Sequence, residues 1–341
     1  AVDPKGEHFA LSIQAKGALA VFAVAATWWI FEVVPIGVTS LLIGTLQALF
    51  LIRKPAVAFK DYMDPSVLFI FGSVVIGMVF TKTGLTRRIA YKMLSIIGER
   101  TSLIMLGCFV MTALLTHVMA HTAVAATMFP LLMAIYSLYT TEKAPTNFGK
   151  CLFMGMAYVA GAGSIVTLLG AARGAVALGF YKDMMNVDIS FGTLTYYMFP
   201  LGWLMVFLLW GFFMVFCKPE KERIVGLKEK ASRMYRELGG ITRNEILAAV
   251  IIFAAVLLIA LKSFVPALEN LDKTGILLCS TIAFFVFNIL KIEDLEDIPW
   301  NIILLFAGAM SIGFCLWETG AATWLAVNWL VLFQKAPAIV F

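Results

Sequence analysis

Apolar residues along this chain come in long runs separated by short polar breaks, a pattern that predicts one membrane span after another. Spans are expected over about 11–32, 36–53, 65–94, 101–116 with 122–139, 147–181, 191–217, 245–266, 271–290 and 298–332. Two stretches, 65–94 and 298–332, are longer than a hydrocarbon core of about 30 Å requires. They are expected to tilt or to run on as helices along the interface. The predicted class is an all-α polytopic membrane protein. One run is interrupted in its middle by Thr116-His117-Val118-Met119-Ala120-His121-Thr122-Ala123. Polar side chains at membrane depth are costly unless they are satisfied internally or line a wet cavity, so this break is a candidate site.

Charge sets the orientation. Residues 218–243 carry Lys218, Lys221, Arg223, Lys228, Lys230, Arg233, Arg236 and Arg243 against four Glu, and read as a cytoplasmic linker that forms an amphipathic surface helix held by its Lys/Arg face. Arg87, Arg88, Lys92 and Arg100 should lie on the same side. Both placements hold only if an even number of crossings separates them. Spans 147–181 and 191–217 supply two, so 101–139 must return to the side it entered from. A re-entrant hairpin with its tip at the polar break does that.

Composition agrees. The chain is 61% hydrophobic and 14% charged, against about 25% charged in a soluble domain. The net charge of +5 lies in loops and reports orientation, not nucleic-acid binding. The five cysteines lack metal-ligand spacing, and no Walker-type or nucleophile-elbow motif is present, so neither an enzyme nor a resident cofactor is expected. His117 and His121 mimic a zinc spacing but lack a third ligand. The first residues do not read as a signal peptide, and a further span is expected upstream of Ala1.

Shifting the chain by 236 residues lays 65–94 on 298–332. Gly72 meets Gly308, Gly77 meets Gly313, Thr83-Gly84 meets Thr319-Gly320 and Ala90 meets Ala326. This suggests a duplication, with a first repeat over 1–217, the linker over 218–243 and the start of an inverted second repeat over 244–341. Inverted repeats are a signature of secondary transporters. Lys335 to Phe341 would begin a second hairpin, and the hairpin tip and later elements are expected beyond the last residue given.

Two motifs then become familiar. Trp28-Trp29-Ile30-Phe31-Glu32-Val33-Val34-Pro35-Ile36-Gly37-Val38-Thr39 and Lys82-Thr83-Gly84-Leu85-Thr86-Arg87-Arg88-Ile89-Ala90 resemble stretches of the divalent anion/sodium symporter family, the di- and tricarboxylate and sulfate carriers. The resemblance runs from about residue 10 to the end. It implies two inverted repeats, each with a re-entrant hairpin and a broken helix, a homodimer, and an elevator-type movement of small anions. The location implied is a bacterial or archaeal plasma membrane.

The family's Ser-Asn-Thr tip falls on Ala120-His121-Thr122, an upstream Ser on Thr116, and the Gly-Thr-Pro-Pro-Asn of the broken helix on Gly170-Ala171-Ala172-Arg173-Gly174. The resemblance therefore implies substrate contacts from His121, Thr122, Ala171 and Arg173, and a sodium ligand set at Thr116, Ala120, His121 and Gly170. Of the Ser-Asn-Thr only Thr122 is kept, and of the broken-helix motif only Gly170. Ala120 lacks a hydroxyl, and His121 offers nitrogen where a hard cation prefers oxygen. The expectation is a weakened or lost sodium site, with charge supplied by Arg173 and His121, and exchange or proton coupling.

Plainer alternatives stand beside each residue. Thr122 could bond back to its own helix. His121 could be satisfied by a backbone carbonyl, and His117 could be structural. Arg173 could snorkel or pair with Asp183. The function expected is secondary transport of C4-dicarboxylate-like anions, with a counter-substrate or coupling ion as partner. The rival readings are a sulfate or other oxyanion carrier, a non-transporting membrane anion sensor, and a membrane enzyme using His117 and His121.

Overall fold

The structure is a computed structural model that describes residues 10–140, 146–262, 265–268 and 270–332. In chain order its helices begin with α1 (Ile13–Ile30), α2 (Ile36–Leu49), α3 (Pro55–Lys60), α4 (Pro65–Thr83), α5 (Leu85–Ile97), α6 (Thr101–Thr116), α7 (His121–Tyr139) and α8 (Asn147–Ser164). They continue with α9 (Ala172–Met185), α10 (Phe191–Phe216), α11 (Leu227–Glu237), α12 (Arg243–Leu261), α13 (Lys273–Val286), α14 (Ile292–Glu296), α15 (Trp300–Glu318) and α16 (Ala321–Leu332). Among the described residues six helical stretches are long and apolar enough to cross a membrane, and no strand forms beyond one isolated bridge. The all-α polytopic class is borne out. The expected start of a second hairpin at Lys335 to Phe341 lies outside the described residues.

Local signals explain where helices start. Ser12, Thr146, Ser190 and Asp272 each accept a backbone N–H three residues on, and Thr242 with Glu245 forms a capping box. The two over-long spans do not tilt as single rods. Each breaks at its Thr-Gly, where Gly84 and Gly320 take φ of 84° and 77°. Glycine has no Cβ to clash there. The chain continues as α5 and α16, so the expectation that 65–94 runs on as a second helix holds, with the break now placed.

The chain divides into two compact units, one of the described residues up to Val67 with those from Pro299, the other of Leu68–Ile298. In the first, α15 packs on α2 so closely that a Cβ on Gly308 would lie 2.5 Å from the Ser40 Cβ. Arg53 is buried there, donating to Asp61 at 2.5 Å and through Nε and Nη2 to Glu318 at 2.8 Å, so its charge is matched rather than stranded. In the second unit a Cβ on Gly72 of α4 would lie 2.8 Å from the Leu277 Cβ of α13.

The helix ends after α2 and α13 match. After α2, Leu51 takes φ 50° and the Ile52 N–H bonds the Gln47 carbonyl at 3.0 Å. After α13, Asn288 takes φ 56° and the Ile289 N–H bonds the Phe284 carbonyl at 2.9 Å. A short helix comes next in each case, α3 and α14, then a long one, α4 and α15, then the Thr-Gly break.

The 218–243 linker is helical only over α11. Its first part, 219–224, is an irregular strap along the second unit. The Thr101 N–H bonds the Glu222 carbonyl and the Ile224 N–H the Glu99 carbonyl, both at 2.9 Å. The Glu220 carboxylate accepts the Tyr139 hydroxyl at 2.8 Å and the backbone N–H groups of Asn147 and Phe148 at 2.5 and 3.3 Å. The strap thus joins the start of α6, the end of α7 and the start of α8. Arg88 is not a free surface charge either. Its Nε and Nη2 meet Glu245 at 2.8 and 3.1 Å, and Nη1 and Nη2 reach the Gly239 and Gly240 carbonyls at 3.0 Å.

Partial burial alone would raise the Glu220 carboxyl, but the N–H groups of Asn147 and Phe148 and the Tyr139 hydroxyl outweigh it and hold it below its ordinary 4.5. A depressed carboxyl stabilises the fold above its unfolded pKa, and the gain is lost as pH falls through the folded value. Glu220→Gln should lower the melting temperature at pH 7, and the gap to the wild type should close as pH falls below the ordinary carboxylate value. Thermal unfolding across that range checks it.

Candidate functional site

Two interruptions of helical backbone meet in the second unit. The first is the turn 117–120 between α6 and α7, the second the irregular segment 165–171 between α8 and α9. A backbone that leaves the helix at membrane depth frees N–H and C=O groups that need partners. Here each interruption supplies them to the other. The His121 backbone N–H bonds the Gly170 carbonyl at 3.1 Å, and its ring Nδ1, which carries the proton when it meets a carbonyl, lies 3.2 Å from the same oxygen. The Thr167 hydroxyl donates to the His117 carbonyl at 2.7 Å and lies 3.3 Å from the Gly170 N–H. From α4, the Ser73 hydroxyl donates to the Leu169 carbonyl at 2.9 Å.

Small residues permit this approach. A Cβ on Gly170 would lie 2.2 Å from the Thr116 carbonyl oxygen and 2.7 Å from that of Ser164. A Cβ on Gly163 would lie 2.6 Å from the Thr116 Oγ1. Thr116 is fully buried, and its hydroxyl donates back to the Ala113 carbonyl at 2.7 Å.

The result is two helix N-termini side by side. Ala120 caps α7 and Ala171 caps α9, and neither supplies a side-chain acceptor to the first-turn N–H groups. Helix N-termini carry partial positive charge and outward-pointing N–H donors, a ready anion site. Thr122 and Arg173 are the second residues of the two helices, and both are exposed. Arg173 Nη2 lies 3.2 Å from the Ser164 Oγ and 3.4 Å from the Gly161 carbonyl, which turns the guanidinium back to the last turn of α8. The Arg fork suits bidentate carboxylate or oxyanion recognition.

The structure thus brings together His121, Thr122, Ala171, Arg173, Ala120, Gly170 and Thr116. It also gives several of these residues their partners. The Thr116 and Ser164 hydroxyls bond back to their own helices, while the Thr122 hydroxyl, exposed in the first turn of α7, meets no partner among the described residues. His121 is met by a backbone carbonyl and keeps Nε2 for a ligand. His117 and His121 do not share a helix face, because His117 closes α6 and His121 opens α7. Arg173 bonds Ser164 and Gly161.

The oxygens suggested for sodium are largely engaged. The Gly170 carbonyl takes two N–H groups from His121, the Ala120 carbonyl takes the Val124 N–H, and the Thr116 hydroxyl is packed against Gly163. Thr167, Ser164 and Ser73 join the site without being singled out by the hydrophobic pattern. Ser164 and Thr167 do carry a signal, as hydroxyl residues in a run of small residues at the end of α8 and beyond it.

The family described as the sodium:sulfate symporter transmembrane region matches residues 7–341. The chain is 24% identical to the sodium-dependent dicarboxylate transporter SdcS of Staphylococcus saprophyticus, over 94% of this chain and 66% of that protein. It is 26% identical to the transporter of the same name from Staphylococcus aureus strain USA300, again over 94% and 66%. The chain thus spans just under two thirds of the length of these curated relatives. The match bears out the resemblance to divalent anion/sodium symporters.

Gly170→Ala should lower stability by about 1–3 kcal/mol, because the atoms it meets are backbone and cannot swing away. Gly211→Ala, with nothing within 4 Å of the added carbon, should leave the melting temperature nearly unchanged. Thermal unfolding of the two variants in detergent compares them.

Proposed function

Because the chain belongs to the sodium:sulfate symporter family, we propose that it forms part of a secondary carrier of C4-dicarboxylate-like anions. The observation that carries this reading is the pair of helix N-termini at His121 and Ala172, opened beside each other by the His121–Gly170 bonds. One carboxylate of the substrate meets the first-turn N–H groups of α7 and the Thr122 hydroxyl. Arg173 and the first turn of α9 meet the same or the second carboxylate. His121 Nε2 adds a donor when the ring is protonated and an acceptor when it is neutral. The relatives' name, dicarboxylate transporter, favours an organic dianion over sulfate.

The coupling differs, in our reading, from that of relatives named sodium-dependent. Arg173 places a fixed positive charge beside the site, and the Gly170 carbonyl is occupied by His121. A cation is thus replaced by the protein's own charge, and exchange of one anion for another, or proton coupling through His121, takes its place. The repeat organisation is part of the proposal: a first repeat over 1–217, a cytoplasmic linker over 218–243 and an inverted second repeat from 244. The matched helix ends after α2 and α13 and the matched Thr-Gly breaks support it. Elevator movement, a homodimer and a plasma-membrane location rest on the family resemblance.

Purified protein in proteoliposomes loaded with unlabelled succinate tests this. Labelled succinate should enter in choline as well as in sodium, and only with succinate inside or a pH step. Arg173→Gln should reduce entry at least about tenfold, the loss of one charge-assisted hydrogen bond to substrate. Entry that collapses in choline would show that sodium still couples transport and would overturn the exchange reading.

A further inference from the structure

Away from the anion site, α5 and α11 enclose a groove whose chemistry neither the transport reading nor the fold uses. α5 starts directly after the Gly84 break that ends the span α4, so it lies where a membrane span meets the interface. The groove has a volume of about 470 Å³, within the roughly 300–1,000 Å³ of small-molecule sites. Its floor is apolar: Ile89, Met93 and Ile96 recur at helical spacing on α5, with Tyr235 of α11 opposite. Ile89 and Ile96 are 42% and 70% exposed, costly for groups facing only water.

The cations at the rim differ in kind. Arg88 is buried, and Glu245 already matches its charge. Lys92 is exposed, its ammonium 5.3 Å from the centre of the Tyr235 ring, and it has no carboxylate partner among the described residues. No acidic side chain lines the groove. On α11 the Glu237 carboxylate faces Arg233 at 3.4 Å. An apolar floor with one unmatched cation at its mouth, at the end of a span, complements an amphiphile with a negative head.

We propose that the α5–α11 groove binds an anionic phospholipid, its phosphate on Lys92 and its first acyl carbons on Ile89, Met93 and Ile96. Such a lipid would satisfy both halves of the groove at once. A soluble anion would leave the isoleucines in water, and a zwitterionic lipid would present its phosphate with a competing cation. A lipid held there would tie α5 and α11 to the membrane surface.

The purified protein is reconstituted in nanodiscs of phosphatidylcholine mixed with phosphatidylglycerol, released, and its retained lipid counted by native mass spectrometry. Wild type should retain phosphatidylglycerol over phosphatidylcholine by about fivefold more than the bulk ratio, the worth of one interfacial cation. Lys92→Gln should bring the ratio close to that of the bulk, and Lys92→Arg should keep it. Adding soluble glycerol phosphate should not displace the lipid. No preference in wild type, an unchanged ratio in Lys92→Gln, or displacement by glycerol phosphate would each overturn the proposal.

Discussion

A polypeptide that interrupts a helix inside a membrane must pair the backbone groups it frees within the protein or turn them to a water-filled cavity. In this chain two interruptions satisfy each other. The Gly170 carbonyl receives the His121 N–H and ring, and the His117 carbonyl receives the Thr167 hydroxyl. The same bonds bring the starts of α7 and α9 near each other, so the anion site we propose is a by-product of backbone satisfaction. Its geometry depends on Gly163 and Gly170, where any side chain would meet fixed atoms.

The strap at 219–224 complements this at the other end of the same helices. The hairpin is tied at its tip by Gly170 and Thr167 and at its base by Glu220 and Glu222. A hairpin held at both ends can present Thr122 without the conformational freedom that would cost binding. Charge is placed by the same logic. Arg53 and Arg88 are buried against carboxylates, which leaves Arg173 exposed beside the two helix N-termini.

Much of this is legible in the residues. The polar break at 116–123 falls on the turn between α6 and α7, where leaving the helix frees backbone groups that need partners, and the His121 ring meets the Gly170 carbonyl there. The Thr-Gly pairs at 83–84 and 319–320 mark the two breaks, although the pattern alone leaves open whether the spans tilt. The hidden part consists of partnerships between residues far apart in the chain. Arg88 reads as a topogenic surface charge, and its partner Glu245 lies 157 residues on. The Thr167 and Ser73 hydroxyls donate to the His117 and Leu169 carbonyls of other segments, and Ser164, which donates to Gly161 of its own helix, also accepts from the Arg173 guanidinium. The linker looks helical throughout because charge patterning cannot distinguish an amphipathic helix from a strap in which the Glu220 carboxylate and the Glu222 carbonyl bond neighbouring backbone.

In the site we propose, an anion sits between the first turns of α7 and α9. A structure of the protein determined with succinate bound tests it most directly. A carboxylate should lie within hydrogen-bonding distance, about 3 Å, of the N–H groups at the start of α7 and of the Arg173 guanidinium, with the His121–Gly170 bonds intact. Succinate bound elsewhere, or a sodium ion occupying the place of the Arg173 charge with the guanidinium turned away, would contradict it.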